Sequence, residues 1–217
     1  MPNAVLFQEH EVIPELVQMR LPRELMIDIF EKALGERGNV NALDPVETGG
    51  TEMRRWMTRY LRECEDLKNL GWSLCRHGQI EGIKNDDLKL KLAFTNTDDR
   101  TGFISKQPSN VAEKGARTAS LAERNHKSAQ FNLLGLGEVD QPDPISNYDF
   151  WYFCGHVGDE YVSAEISRPD KMVGGFIRNF SKRIIICQPG EKSGLRAHNP
   201  VPEDFAEIDQ PSISRKP

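Results

Sequence analysis

The sequence predicts an α+β fold in which N-terminal helices pack on a mainly antiparallel sheet interrupted by a long polar insertion. Three observations predict it. Helical periodicity fills the first third of the chain, strand-like alternation sets in at Leu88, and about thirty residues (95–125) carry neither pattern. Helices therefore precede strands, rather than alternating with them as in a parallel β-α-β series.

Leu25, Met26, Ile29, Phe30, Ala33 and Leu34 recur on one helical face, which predicts a helix over Pro22–Leu34. Pro22 suits its first turn, and Gly35 is placed to close it in a left-handed conformation. Pro14–Arg20 reads as a preceding helical turn that Pro22 ends. Asn39–Gly50, with Asn, Asp, Pro and two adjacent glycines, reads as a loop. Met53, Met57, Tyr60, Cys64 and Leu67 alternate spacings of three and four, predicting a second helix over Thr51–Leu70.

Leu88, Leu90, Leu92 and Phe94 alternate with Lys89, Lys91, Ala93 and Thr95, the period of a half-buried strand. Gln79–Lys84 is its expected partner across a turn at Asn85 and Asp86. Within the polar insertion, Val111–Glu113 and Thr118–Arg124 are short helical candidates. Tyr148–Cys154 and Glu160–Ser167 predict a hairpin around a turn at Gly155–Asp159, ended by Pro169. Phe176–Cys187 supplies a third strand, buried on both faces around Ile184–Ile186. Residues 1–187 thus form one domain, with 1–50 its N-terminal helical part, and 188–217 a tail holding 5 of the 13 prolines.

With 217 residues, 38% hydrophobic and 28% charged, the chain can bury a core yet must surround it with polar loops. No run approaches the roughly 18 to 20 apolar residues of a membrane span, and the opening is acidic where a signal peptide is basic. The expectation is a cytoplasmic protein that does not engage a membrane. Cys64, Cys75, Cys154 and Cys187 include no C-x-x-C pair, so free thiols are expected. The net charge of −5 argues against a generally basic nucleic-acid binder, yet the charge is uneven. Basic residues number 4 against 9 acidic ones in 1–50, 15 against 11 in 51–130, and 9 against 13 in 131–217.

The basic middle carries two candidate anion-binding features. Arg54, Arg55, Arg59 and Arg62 lie on or beside one exposed side of the second helix, with Arg55 and Arg59 at its centre. The polar insertion holds Arg100, Lys106, Lys114 and Arg117 among glycines that let backbone amides approach an anion. Neither a Walker loop nor a G-x-G-x-x-G motif is present. Trp151, Tyr152 and Phe153 could stack nucleobases or serve the core; Trp56 and Trp72 read as packing anchors.

Two metal readings follow from side-chain chemistry. Asp149 and Glu165, on adjoining strands, are a carboxylate pair able to hold Mg²⁺ for phosphodiester cleavage. That order resembles the restriction-endonuclease-like nucleases, with Glu24 as an additional acid, but Ser167 stands where such nucleases carry a lysine. Cys75 with His77, and Cys154 with His156, would make a Cys₂His₂ zinc site if the two pairs met.

The stretch WYFCGHVGDEYVSAEISRP followed by SKRIIIC resembles a group of bacterial proteins with a Trp-led strand, an A-E-[IL]-S-x-P strand end and an R-I-[IL] strand. TNTDDRTG, KQP and KG extend the likeness over most of 50–187. The resemblance implies a place in mobile-element or antiviral defence gene clusters and carries no activity or cofactor with it. The sequence expectation is therefore a bacterial protein that binds nucleic acid or a phosphorylated ligand. The alternatives are a non-catalytic subunit of a protein complex, or a homo-oligomer, and a Mg²⁺-dependent nuclease. Whether the chain is an enzyme stays open at this level.

Overall fold

The computed structural model describes residues 4–41, 43–77, 80–134 and 148–191. In chain order the elements are β1 (Ala4–Leu6), α1 (Glu9–Gln18), α2 (Arg23–Arg37), α3 (Thr48–Glu63), α4 (Glu65–Asn69), β2 (Trp72–His77), β3 (Ile80–Asn85), β4 (Leu90–Asn96), α5 (Ala116–Leu134), β5 (Asp149–Val157), β6 (Val162–Val173) and β7 (Phe176–Cys187). The seven strands form one sheet in the order β1-β7-β6-β5-β4-β3-β2. It is mainly antiparallel, with β1·β7 and β4·β5 the two parallel pairs. The α+β expectation stands.

Each face of the sheet has its own cover. On the first, α1–α4 bring Leu16, Met26, Phe30, Met53, Met57 and Leu61 against Leu92, Phe94, Trp151, Phe153, Ile166 and Ile184. On the second, Leu121 of α5 meets Phe150, Tyr152, Cys154, Ile177 and Phe180. The odd and even positions of β5 thus serve different layers, as strand pleating requires. β4 is accordingly buried on both faces, including Lys91 and Thr95, rather than half-exposed as its alternation suggested.

Several boundaries differ from the sequence reading, for physical reasons. α2 continues through Gly35 to Arg37, because Glu36 and Arg37 hold the last turn against α3: the Tyr60 hydroxyl donates to Glu36 at 2.8 Å, and Arg37 lies over Gly49. Gly49 and Gly50 belong to the first turn of α3 instead of a loop, and a Cβ at Gly49 would sit 3.2 Å from the Arg37 guanidinium. The expected helix to Leu70 breaks at Cys64, whose extended backbone separates α3 from α4. β6 passes through Pro169 to Val173, because register shifts around Arg168–Lys171 absorb the missing donor. The Gly155–Asp159 turn falls later, since β5 reaches Val157. Val111–Glu113 is not helical, whereas Thr118–Arg124 lies within α5. β1 and β2 went unseen in the sequence, and so did the β4–α5–β5 crossover that makes that pair parallel. The tail from residue 192 lies outside the described residues.

Among the described residues, no helix is long and apolar enough to cross a membrane. Cys64, Cys75, Cys154 and Cys187 carry thiols rather than disulfides.

Candidate functional site

α3 is amphipathic. Met53, Met57 and Leu61 are buried at spacings of four, which turns Arg54, Arg55, Arg59 and Arg62 toward the far side. There the helix and the β2–β3 hairpin enclose an open groove of about 670 Å³, lined by Arg54, Arg55, Arg59, Arg62, Arg76 and Leu74, with Glu63 and Glu81 its acidic members. Arg76 and Leu74 are two apart on β2 and so point the same way.

The five arginines differ in their commitments. Arg62 is fixed, donating to the carbonyls of Gly82 (3.2 Å) and Cys75 (3.0 Å). Arg55 pairs with Glu52 at 3.2 Å and Arg59 with Glu63 at 2.8 Å. Both also lie over the Trp56 ring, 5.2 and 5.1 Å from its centroid. Trp56 in turn stacks on Tyr60 and donates its indole N–H to Glu52. The aromatic pair thus steadies two guanidiniums. Arg54 and Arg76 pair with no carboxylate among the described residues. Surface ion pairs such as Arg59–Glu63 are worth only about 0–1 kcal/mol, so an incoming anion can displace them.

One cation of the polar insertion falls within electrostatic range of Arg54 without lining the groove. Lys114 lies near Arg54, and burial, followed by the repulsion of Arg54, lowers its pKa to about 8. Of the six basic positions expected to contact phosphate, Arg55 and Arg59 line the groove and Lys114 is its neighbour. Arg100 is folded back onto Asp98, Lys106 sits over the Phe103 ring at 4.1 Å, and Arg117 is exposed in the first turn of α5; none of the three lines the groove. The sequence reading saw Arg54 and Arg62 on the helix but missed Leu74 and Arg76, because β2 itself was not recognised.

The rest of the insertion is anchored to the sheet. Residues 97–115 cross the second face of the sheet, where β6 and β7 bury polar side chains instead of apolar ones. Arg183 donates to both Glu165 oxygens, at 2.9 and 2.5 Å, with the two side chains 2% and 0% exposed. Arg183 also donates to the carbonyls of Lys106 (2.6 Å) and Phe103 (3.2 Å), while Glu165 accepts from the Gly102 amide (3.0 Å) and the Ser167 hydroxyl (2.7 Å). The Ser163 hydroxyl donates to Thr101 O, and the Asn110 amide group bridges Ala112 and Gly175. A Cβ on Gly102 would lie 2.9 Å from Ser163, so glycine is required for this close approach. These bonds pair several of the loop's backbone groups without regular structure.

Asp149 and Glu165 are not brought together. Asp149 shares a face with Trp151, accepting its indole N–H at 2.9 Å, and is held by Arg168 at 2.7 Å. Glu165 is registered opposite Cys154, whose side chain belongs to the other face. A single Mg²⁺ cannot bridge carboxylates on opposite sides of a sheet, and both are occupied by arginine; the donor set does not fit the metal. Glu24 is exposed and paired with Arg23. The zinc expectation fares likewise: Cys154 is buried under α5, Cys75 lies three strands away on β2, and His77's side chain is outside the described ones. No group of three or more metal-ligating side chains occurs among the described residues. Trp151, Tyr152 and Phe153 are buried in the two cores, so base stacking on them is replaced by packing.

No family model matches this chain, and no curated protein or solved structure matches it either.

Proposed function

We propose that the protein binds the phosphate backbone of a nucleic acid through the α3–β2 groove. One observation carries the reading: five arginines line a single groove with two glutamates, and two of the five have no acidic partner among the described residues. Arg54 to Arg62 span eight residues, or about 12 Å of helix, which is longer than one phosphate group and suits a backbone better than a lone anion. Guanidinium forks give bidentate, charge-assisted contacts to phosphate oxygens. Leu74, half exposed at the groove wall, offers an apolar contact beside them. Contacts of this kind position a strand without reading its sequence, so tolerance of base composition is part of the proposal. The chain's net negative charge is compatible with it, because binding responds to the local surface rather than the total. The location proposed is the bacterial cytoplasm, where a nucleic acid of a mobile element would be encountered.

The test is binding of fluorescein-labelled 20-nucleotide single- and double-stranded DNA and RNA across a salt series. The expected result is an affinity that falls log-linearly with salt, with a slope near two or three phosphates. No binding at 50 mM salt would reject the proposal and redirect attention to a protein partner.

A further inference from the structure

We infer that the arginine groove also receives an acidic segment of this same chain, Glu203–Asp209, in competition with nucleic acid; the competitive half of this inference rests on the function proposed above.

Three observations meet on the groove. The first is charge complementarity. Glu203–Asp209 reads EDFAEID, four acids without a base, against a groove of five arginines and two acids. The second is the apolar match: Phe205 and Ile208 are interleaved with those acids, and Leu74 is the exposed apolar side chain among the arginines. The third is reach. The described chain ends at Glu191, which forms a 2.6 Å ion pair with Arg23 at the start of α2 and so leaves from the helical side of the sheet, the side that carries α3. From β7 to β2 is five strand spacings, roughly 24 Å. The twelve residues from Glu191 to Glu203 extend to roughly 40 Å, enough to cross that distance with slack. An acidic stretch held at high effective concentration by a short tether competes well even when its intrinsic affinity is low. It also accounts for an acidic chain presenting an arginine groove.

The test uses the full chain with p-benzoylphenylalanine in place of Phe205, irradiated without any nucleic acid, with cross-links read by mass spectrometry. The expected cross-links fall within one molecule on 51–63 or 74–76 and are lost in E203Q/D204N/E207Q/D209N. Cross-links elsewhere, cross-links between copies, or indifference to that neutralisation would overturn the inference. The same quadruple variant, binding a labelled 20-nucleotide single strand at 50 mM salt, should gain about tenfold in affinity; unchanged affinity in a chain that does bind would overturn the competition. Failure of every form of the chain to bind nucleic acid would defeat the proposed function while leaving the cross-link result to decide the docking.

Discussion

Glu165–Arg183 and the arginines of α3 use the same side-chain chemistry to opposite ends. Beneath the polar insertion, carboxylate and guanidinium close on each other, and their further hydrogen bonds go to Ser167, Gly102, Phe103 and Lys106. In the groove, the arginines outnumber their acids, Arg54, Arg55, Arg59 and Arg76 are exposed, and Arg55 and Arg59 are held by aromatic stacking and surface ion pairs that an anion can displace. The difference teaches where to seek function. A charge that is buried and saturated organises the chain, whereas a surplus of one sign on a prearranged surface is available to a ligand.

The largest expected effect breaks the first region. Arg183→Met leaves Glu165 buried beside an apolar side chain, and loss of one partner of such a pair costs about 3–5 kcal/mol. Urea denaturation should show that loss, and Glu165→Leu in the same chain should restore most of it. Stability unchanged in the single variant would contradict a structural role for the pair.

The second region should respond in the opposite sense. Arg54→Glu with Arg59→Glu should reduce affinity for a labelled 20-nucleotide strand at least tenfold, with a stability change of about 0.5 kcal/mol or less, as for other surface substitutions. Equal loss on Arg100→Glu with Lys106→Glu would move the site to the insertion.

Much of this comparison was present in the sequence, but unevenly. The arginines of α3 were legible because Met53 and Met57 fix the buried side and so expose the rest. Arg76 was not, since β2 is a short edge strand whose alternation is masked by Trp72 and Cys75, both buried. The insertion was visible as an anomaly, but what anchors it to the sheet was not. Its acceptors are backbone carbonyls, and the donor, Arg183, lies about eighty residues away within an isoleucine-rich strand. Asp149 and Glu165 looked like a pair because adjacency of strands is legible and facing is not: the length of the β5–β6 turn decides which residues share a side.

A smaller effect concerns Asn125, buried between α5 and the sheet. Its amide group donates to Phe150 O and Pro169 O, both at 2.8 Å, and so pairs two buried strand carbonyls. Asn125→Ala should cost about 1–3 kcal/mol in thermal or urea unfolding, the penalty for buried carbonyls left unpaired.

The smallest expected effect is a pH dependence of the groove. Lys114 has a pKa lowered to about 8, so raising pH through 8 removes its charge in the folded chain while the unfolded chain keeps it up to the ordinary lysine range. Nucleic-acid affinity should fall modestly above pH 8, and Lys114→Met should flatten that fall. The sign for stability is the reverse. Between pH 8 and 10.5 the unfolded state binds more protons, so the wild-type chain should gain stability relative to Lys114→Met over that window.

The most direct measurement is arginine footprinting with phenylglyoxal, with and without a 20-nucleotide single strand, read by mass spectrometry. In the E203Q/D204N/E207Q/D209N chain, whose groove is open, the account predicts that Arg54, Arg55, Arg59 and Arg76 react freely and are protected by the strand, that Arg100 reacts equally in both samples, and that Arg183 is unreactive throughout. Protection centred on Arg100, or none on α3 under conditions where the strand is bound, would contradict it.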